Sequence, residues 1–410
     1  MSKILVVLSN IYPDVNFLKT ESKHFDKFNK IFYFEKVIGE YKDTKEISNN
    51  ATYHKIDIPI KFNGKLDRLK KMSSQIFTKY FWKDFFQQKN KFFNKNIIEN
   101  SMRLMTFIIN SKAYAKEVRR VLLANGVKED DEIVFYAFRL HFHAGAAYFL
   151  KRMFKNSKTV GKGHGYDLYH YRWETGYIPM QKIIMSDIDH LFAISKHGEN
   201  YMKEILGKES TNVGLSYMGA VDHGVKDYVQ SDRLRIVSCS RIDPVKRIEK
   251  IFEAVENSNI PIHWTHFGGG PNLETYIERA KRSSNDKTQI EFLGEMNNEE
   301  VLQNYRKHDF DLFVNVSEYE GLPVSIMEAI SFGIPVIATD VGGTSEIVRP
   351  SNGYLIQKDF TNTELIKLLE DYNNLGLEDK LMLRTGARNV YEESFNAKIN
   401  GEKFIESIMD

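Results

Sequence analysis

The sequence predicts an α/β protein made of two doubly wound domains facing a central cleft. Three observations lead there. Short β-branched apolar runs alternate with helical patterns over most of the 410 residues, the arrangement that builds right-handed βαβ units and parallel sheets. The runs are too many for one compact sheet. A polar stretch without apolar periodicity, GAVDHGVKDYVQSDR at 219–233, stands mid-chain as a linker.

The first run is ILVVLS (4–9). One lysine precedes an apolar core from Ile4 to Leu8, shorter than the ~7–15 residues of a secretory signal, so the segment reads as a buried strand. EIVFYAF (132–138), TVGKG (159–163) and HLFAIS (190–195) follow in a first domain, 1–218. The second domain, 219–395, carries LRIVSCS (234–240), IHWTHFG (262–268), QIEFLG (289–294), DLFVNVS (311–317) and PVIATD (335–340). Most are nearly continuous apolar runs, as strands covered on both faces require. A cleft at the carboxyl ends of such strands is the expected ligand site.

An insertion at about 65–125 breaks the alternation. Leu69, Met72, Ile76, Tyr80, Ile97, Ile98, Met102, Met105 and Ile109 recur at helical spacing. Residues 61–96 hold ten Lys/Arg, two Asp and nine aromatics. Two readings stand: an apolar stripe packed on the first domain with solvated lysines outside, or a basic aromatic surface that lies on an anionic membrane.

Composition excludes other classes. A formal net charge of +2 argues against a polyanionic partner for the whole molecule, and no nucleic acid is expected. Cys239 is the single cysteine, so there is no intramolecular disulfide and no thiolate metal site. No run of ~18 apolar residues suggests a membrane span. A cytoplasmic location is expected, with the inner face of the plasma membrane as its boundary.

The chemistry gathers in SEYEGLPVSIMEAISFGIPVIATDVGGTSEIV, 317–348. Pro323 suits the first turn of a helix and Gly333 its end. The free amides near Val324 form an anion site aided by the helix dipole. Gly342, Gly343 and Thr344 begin what reads as a second such site. Glu320 and Glu328 flank the first, where carboxylates accept bonds from sugar hydroxyls. The set suits a nucleotide sugar, diphosphate in the middle; the plainer reading is a helix cap and a solvated glutamate. SRIDPVKRIEK places Arg241 and Lys246 just past a strand's carboxyl end, where cations neutralise a diphosphate and stabilise it as a leaving group. FGGGPN at 267–272 is a further glycine turn, but GxGxxG would need a glycine at Leu273.

These residues resemble the retaining GT-B glycosyltransferases, two Rossmann-like domains, of the large family 4 group. SRIDPVKRIE, FGGGP, EFLGEM, EYEGLPVSIMEA and GIPVIATDVGGTSEIV occur in that family's order and spacing. YPDVNFLKTE and GKGHGYDLY (161–169) look like an exopolysaccharide or capsule subgroup. The resemblance implies that Arg241 and Lys246 grip the donor diphosphate and that Glu328 binds ribose. It implies that Glu320, with the backbone of Gly321 and Leu322, holds the donor sugar. The Val324 amide would meet a phosphate oxygen, and the Met296 main chain the base. His164 would reach the transferred sugar, with Asp167 helping to place the acceptor. The last stretch, 396–410, would cross back onto the first domain. One departure stands out: SNIYPDVNF after the first strand has no glycine where many members carry a Gly-Gly loop.

The implied reaction moves a hexose from a nucleoside diphosphate sugar, UDP before GDP, to a glycan acceptor, lipid-linked or free, in surface-polysaccharide assembly. No cofactor or metal is expected. Asp187/Asp189 and Asp309/Asp311 form D-x-D patterns, but both lie at the amino ends of predicted strands, away from the ligand edge. A nucleotide-sugar epimerase, a phosphorylase and an inactive transferase-like partner subunit are the alternatives.

Overall fold

The computed structural model describes residues 3–10, 16–37, 44–48, 50–57, 70–93, 97–207 and 212–409. The chain divides into two compact units, Met1–Ser216 with Gly401–Asp410, and Tyr217–Asn400.

In the first unit the described strands are β1 (Lys3–Ser9), β2 (Lys30–Val37), β3 (Thr44–Ser48), β4 (Ala51–Asp57), β5 (Glu132–Ala137), β6 (Ser157–Gly163), β7 (His190–Ala193) and β8 (Val213–Leu215). They form one sheet in the order β3-β4-β2-β1-β5-β6-β7-β8. Only the β3/β4 pair is antiparallel. From Leu5 to Leu8, β1 is wholly buried, as a central strand covered on both faces must be.

The second unit holds β9 (Leu234–Cys239), β10 (Ile262–Phe267), β11 (Thr288–Phe292), β12 (Leu312–Asn315), β13 (Val336–Thr339) and β14 (Gly353–Ile356). All are parallel, in the order β11-β10-β9-β12-β13-β14. This is the doubly wound order in which the chain reverses beside its first strand. A crevice therefore opens at the carboxyl ends of β9 and β12. With β3 set aside, the first unit winds the same way and reverses between β1 and β5.

Each predicted run contains a strand, with ends shifted by one or more residues. β2, β3, β4, β8 and β14 were not expected. In β2 and β4 polar residues interrupt the apolar runs and interact across the pair. Tyr53 hydroxyl donates to Glu35, and the His54 ring stacks on Phe34 with centroids 5.1 Å apart.

The 219–233 segment, expected as a linker, is a strap along the second unit instead. Asp222 accepts two bonds from Arg388 (2.8 and 2.7 Å), and Tyr228 donates to Asp311 (2.8 Å). Fixed side-chain bonds rather than regular backbone pairing hold it. The helix Ala397–Met409 puts Phe404, Ile405 and Ile408 into the first unit's core beside Val7 and Tyr136.

The insertion forms helices Lys79–Gln87, Lys89–Phe93 and Ile97–Ala124; Leu69 lies outside the described residues. Asp84, fully buried, accepts from Gln88 (2.7 Å) and Tyr177 and anchors the first helix. Burial pushes its carboxyl up to about 6, against the bonds from Tyr177 and Gln88. On the long helix the buried stripe runs Asn100, Leu104, Ile108, Ser111, Ala115, Val118, Leu122. The predicted stripe holds in part: Met72 and Met105 are buried and Ile76, Tyr80 and Ile109 pack on the core, but Ile97, Ile98 and Met102 are 41, 69 and 44% exposed. Polar Asn100 and Ser111 occupy inward positions, which shifted the apparent apolar face.

Candidate active site

At the second unit's crevice β9 hands over to Ser240 and Arg241. Asp243 caps the single turn Pro244–Lys246 by accepting from the Val245 amide (3.0 Å). Arg247 follows in the left-handed region, φ 51°, a conformation costly for a residue with a Cβ. Its guanidinium donates to the carbonyls of Val316 (2.6 Å), Ser317 (3.2 Å) and Lys358 (2.7 Å). The Glu318 amide donates to the Val245 carbonyl (2.7 Å). The loops after β9 and β12 are thus stitched together. Arg247 was passed over in the sequence, because its partners are backbone carbonyls and leave no residue pattern.

The stitching brings Lys246 to Glu320, with Nζ 2.6 Å from Oε1, and Asn315 Nδ2 donates to the same oxygen (3.3 Å). The two residues implied for diphosphate and sugar are therefore direct partners. Lys246 retains donor capacity, since an ammonium carries three N–H groups. Arg241 is exposed at the crevice.

Gly342 has φ 58°, and a Cβ there would lie 2.1 Å from the Glu320 carbonyl oxygen. The neighbouring Gly343 amide donates to the Gly321 carbonyl (2.7 Å). The Gly-Gly turn exists to press on the Glu320 loop, which answers why it follows that loop in the chain. The second anion site expected there is corrected. The Gly343 and Thr344 amides are spent on Gly321 and Val341, and the helix Thr344–Ile347 is a single turn.

The helix Val324–Ser331 keeps its first amides uncapped by any side chain. Pro323 is its N-cap rather than its first helical residue. The helix ends in a Schellman pair, Gly333 amide to Ile330 carbonyl (3.0 Å) and Ile334 to Ala329 (3.1 Å). Leu322 is buried just ahead of it. Glu328, expected on a polar stripe, is 9% exposed and accepts from Asn298 (2.6 Å). Burial raises its carboxyl to about 7, against the Asn298 bond.

Beside these groups lies a cavity of about 410 Å³ lined by Cys239, Arg241, Gly269, Glu295, Met296 and Val301. A Cβ at Gly268 would meet the Ser240 carbonyl at 1.8 Å, so the glycine turn serves chain approach around the cavity. Burial pushes the Cys239 thiol up to about 12, which leaves it protonated.

His164 and Asp167 belong to the first unit and follow β6. Asp167 is 2% exposed. Its carboxylate accepts from the amides of Leu140 (2.7 Å) and His164 (3.1 Å). Asp167 thus braces the loops after β5 and β6. His164 is 8% exposed, packs 5.0 Å from the Phe138 ring, and has no hydrogen-bond partner on either nitrogen. Burial, then Arg139 and Lys162, hold its pKa well below the ordinary value, while the Lys162 carbonyl faces the ring and acts in the opposite sense.

Both D-x-D pairs sit at amino ends of strands and are engaged. Asp187 pairs with Arg152, and Asp189 with Lys151 and Thr159. Asp309 pairs with Lys226, and Asp311 with Arg235 and Tyr228.

With the geometry in hand, residues 226–389 match the family model described as glycosyl transferases group 1. The matched residues lie within the second unit. An O-antigen biosynthesis glycosyltransferase, WbnH of Escherichia coli, is 28% identical to the chain over 237 residues, 57% of the chain and 66% of that relative. The chain thus covers just under two thirds of the relative's length. The lipopolysaccharide outer core galactosyltransferase WaaB, apo form, superposes with a TM-score of 0.66 at 13% identity over 99% of both chains. Anabaena Alr3699/HepE, in complex with UDP, gives 0.61 at 11% identity over 100% of both. The fold is GT-B. The crevice of the second unit holds Arg241, Lys246, Glu320 and Glu328.

Proposed function

We propose that the protein is a retaining glycosyltransferase that moves a hexose from a nucleoside diphosphate sugar, UDP before GDP, to a glycan acceptor. Assembly of a bacterial surface polysaccharide, capsule or exopolysaccharide, is its setting, in the cytoplasm. One observation carries the reading: Arg241, the Lys246–Glu320 pair and the uncapped helix of Val324 all follow the carboxyl ends of β9 and β12, at a topological switch point. Amides and cations there suit a diphosphate. Glu320, with the backbone of Gly321 and Leu322, suits sugar hydroxyls, Glu328 suits ribose, and the Met296 main chain suits the base.

In this mechanism the bond between the sugar's anomeric carbon and the donor phosphate oxygen breaks. The acceptor oxygen bonds to that carbon on the same face, and its proton passes to the departing phosphate oxygen. Arg241, Lys246 and the Val324 amide stabilise the leaving diphosphate, and His164 contacts the transferred sugar. No metal takes part, so turnover persists in a chelator. Incubation of the pure chain with labelled UDP- and GDP-sugars, with and without a lipid-linked acceptor, tests the reading. Transfer only with acceptor is expected; donor consumption without it would make the protein an epimerase.

A peripheral contact with anionic membrane completes the proposal. Lys70, Lys71, Lys79, Lys83 and Lys89 are exposed, while Asp84, the sole acid of residues 70–93, is buried. Phe77, Trp82, Phe86 and Phe93 are 89, 45, 68 and 52% exposed beside them. Each lysine near such a surface contributes about 1 kcal/mol. In flotation at low salt the chain should rise with vesicles rich in phosphatidylglycerol and not with phosphatidylcholine. Replacing Trp82 and Phe86 by serine should weaken that binding several-fold. No binding to anionic vesicles would point to a soluble acceptor.

A further inference from the structure

The two glutamates of the second unit's crevice are held by different chemistry. Glu320 meets a cation, Lys246, together with the Asn315 carboxamide. Glu328 meets none. Among the described residues only the Asn298 side chain donates to its carboxyl, Nδ2 to Oε1 at 2.6 Å, which leaves Oε2 open.

Asn298 is placed for this contact and not for its own helix. It opens the helix Asn298–Lys307, whose start is already closed by a capping box. In that box Asn297 accepts from the Glu300 amide (3.0 Å), and Glu300 accepts from the Asn297 amide (2.8 Å). Asn298 is exposed, between Met296 and Val301, both of which line the cavity of about 410 Å³. Its side chain reaches from that rim to a carboxyl buried within the helix Val324–Ser331.

The groups around Glu328 leave it as the one that titrates near neutrality. Cys239 faces it from β9, and Tyr305 from the same helix as Asn298. Burial, with Glu328 adding to it, pushes the Cys239 thiol up to about 12, against Lys246. Burial, then Cys239 and Glu328, put the Tyr305 hydroxyl well above its ordinary value. Both are therefore protonated at pH 7. A hydrogen bond to a carboxylate favours the ionised form. Asn298 thus acts against burial and keeps the charged form of Glu328 within reach of neutral pH.

We propose that Asn298 is a positioning residue for nucleotide binding: it fixes Glu328 through Oε1 and leaves Oε2 to accept from a ribose hydroxyl. The role rests on the reading that Glu328 meets ribose. It gives the crevice a pH-dependent grip on the nucleotide, set by a neutral side chain on the neighbouring helix.

The test is UDP affinity by calorimetry from pH 6 to 9, in the full chain and in its Asn298→Ala and Asn298→Asp variants. Wild-type affinity should rise to a plateau with its midpoint at about pH 7. Alanine removes a bond that is stronger to the ionised oxygen, so the midpoint should move up by about one pH unit. Affinity then falls about fivefold at pH 7 and recovers towards the wild-type value by about pH 9. Aspartate sets a second carboxylate beside the first and should move the midpoint further up. Its size matches asparagine, so it keeps the measurement readable if alanine disturbs the fold. The same order should appear in the free protein when the Glu328 carboxyl carbon is titrated by NMR, a readout that needs no nucleotide. Equal midpoints in the three proteins, or a loss of affinity uniform with pH, make Asn298 a tie between helices and overturn the proposal. If UDP binds and the midpoints coincide, the positioning role alone falls. If neither UDP nor GDP binds the wild type, the transferase reading falls and the positioning role with it.

Discussion

The two crevices are wound in the same order and finished in opposite ways. In the second unit the loop groups are engaged with each other: Lys246 with Glu320, Glu320 with Asn315, Arg247 with three carbonyls, Glu328 with Asn298. In the first unit, among the described residues, Nε of Arg139 and both ring nitrogens of His164 are buried without a side-chain hydrogen bond. Loops bonded to each other hold their geometry before a ligand arrives, which is what stabilising a developing charge demands. Groups left unpaired gain most when a ligand supplies the missing partner.

The strongest way to break the comparison is Lys246→Ala. Loss of one group that stabilises the leaving diphosphate should lower turnover by about 10²–10³-fold. UDP affinity should change less, because Arg241 and the amides remain. Near-normal turnover in a folded variant would remove the role.

Glu328 gives the next effect. Its folded pKa of about 7 lies above the ordinary value of 4.5, so folding favours the protonated form. Its contribution to stability is full below pH 4.5 and is lost as pH rises through 7, amounting to about 3 kcal/mol by pH 8. Glu328→Gln should therefore raise the Tm of the free protein at pH 8 and leave it unchanged at pH 4. Nucleotide binding should show the reverse trend. Ribose hydroxyls donate to the carboxylate, so wild-type affinity should strengthen between pH 6 and 8 while Glu328→Gln stays flat. A flat wild-type titration would place ribose elsewhere.

Arg247 sharpens the contrast at smaller cost. Arg247→Ala should destabilise the protein by about 2–3 kcal/mol through three carbonyl bonds. Arg247→Gly should lose about 1 kcal/mol less, since φ 51° suits glycine. Denaturant melts measure both, and equal losses would remove the backbone argument.

Much of this was legible in the chain. Runs such as LRIVSCS and DLFVNVS carry their burial in composition, and Arg241, Lys246, Glu320 and Glu328 stand in motifs with local spacing. What escaped shares one property: its partner is remote or is backbone. Arg247 answers carbonyls 69 to 111 positions away. Asp167 closes on amides that only a folded sheet brings together. The Ile97–Met102 face reads inward by periodicity, yet Asn100 and Ser111 took the inward positions.

Sequence alone decided the alternation of strands and helices and singled out Arg241, Lys246, Glu320 and Glu328, because both are written in short-range spacing. Tertiary structure decided which of those residues are partners and which carboxylate is buried and held protonated up to about pH 7. Desolvation and hydrogen-bond closure depend on what the rest of the chain places within a few ångströms, and no local pattern records that.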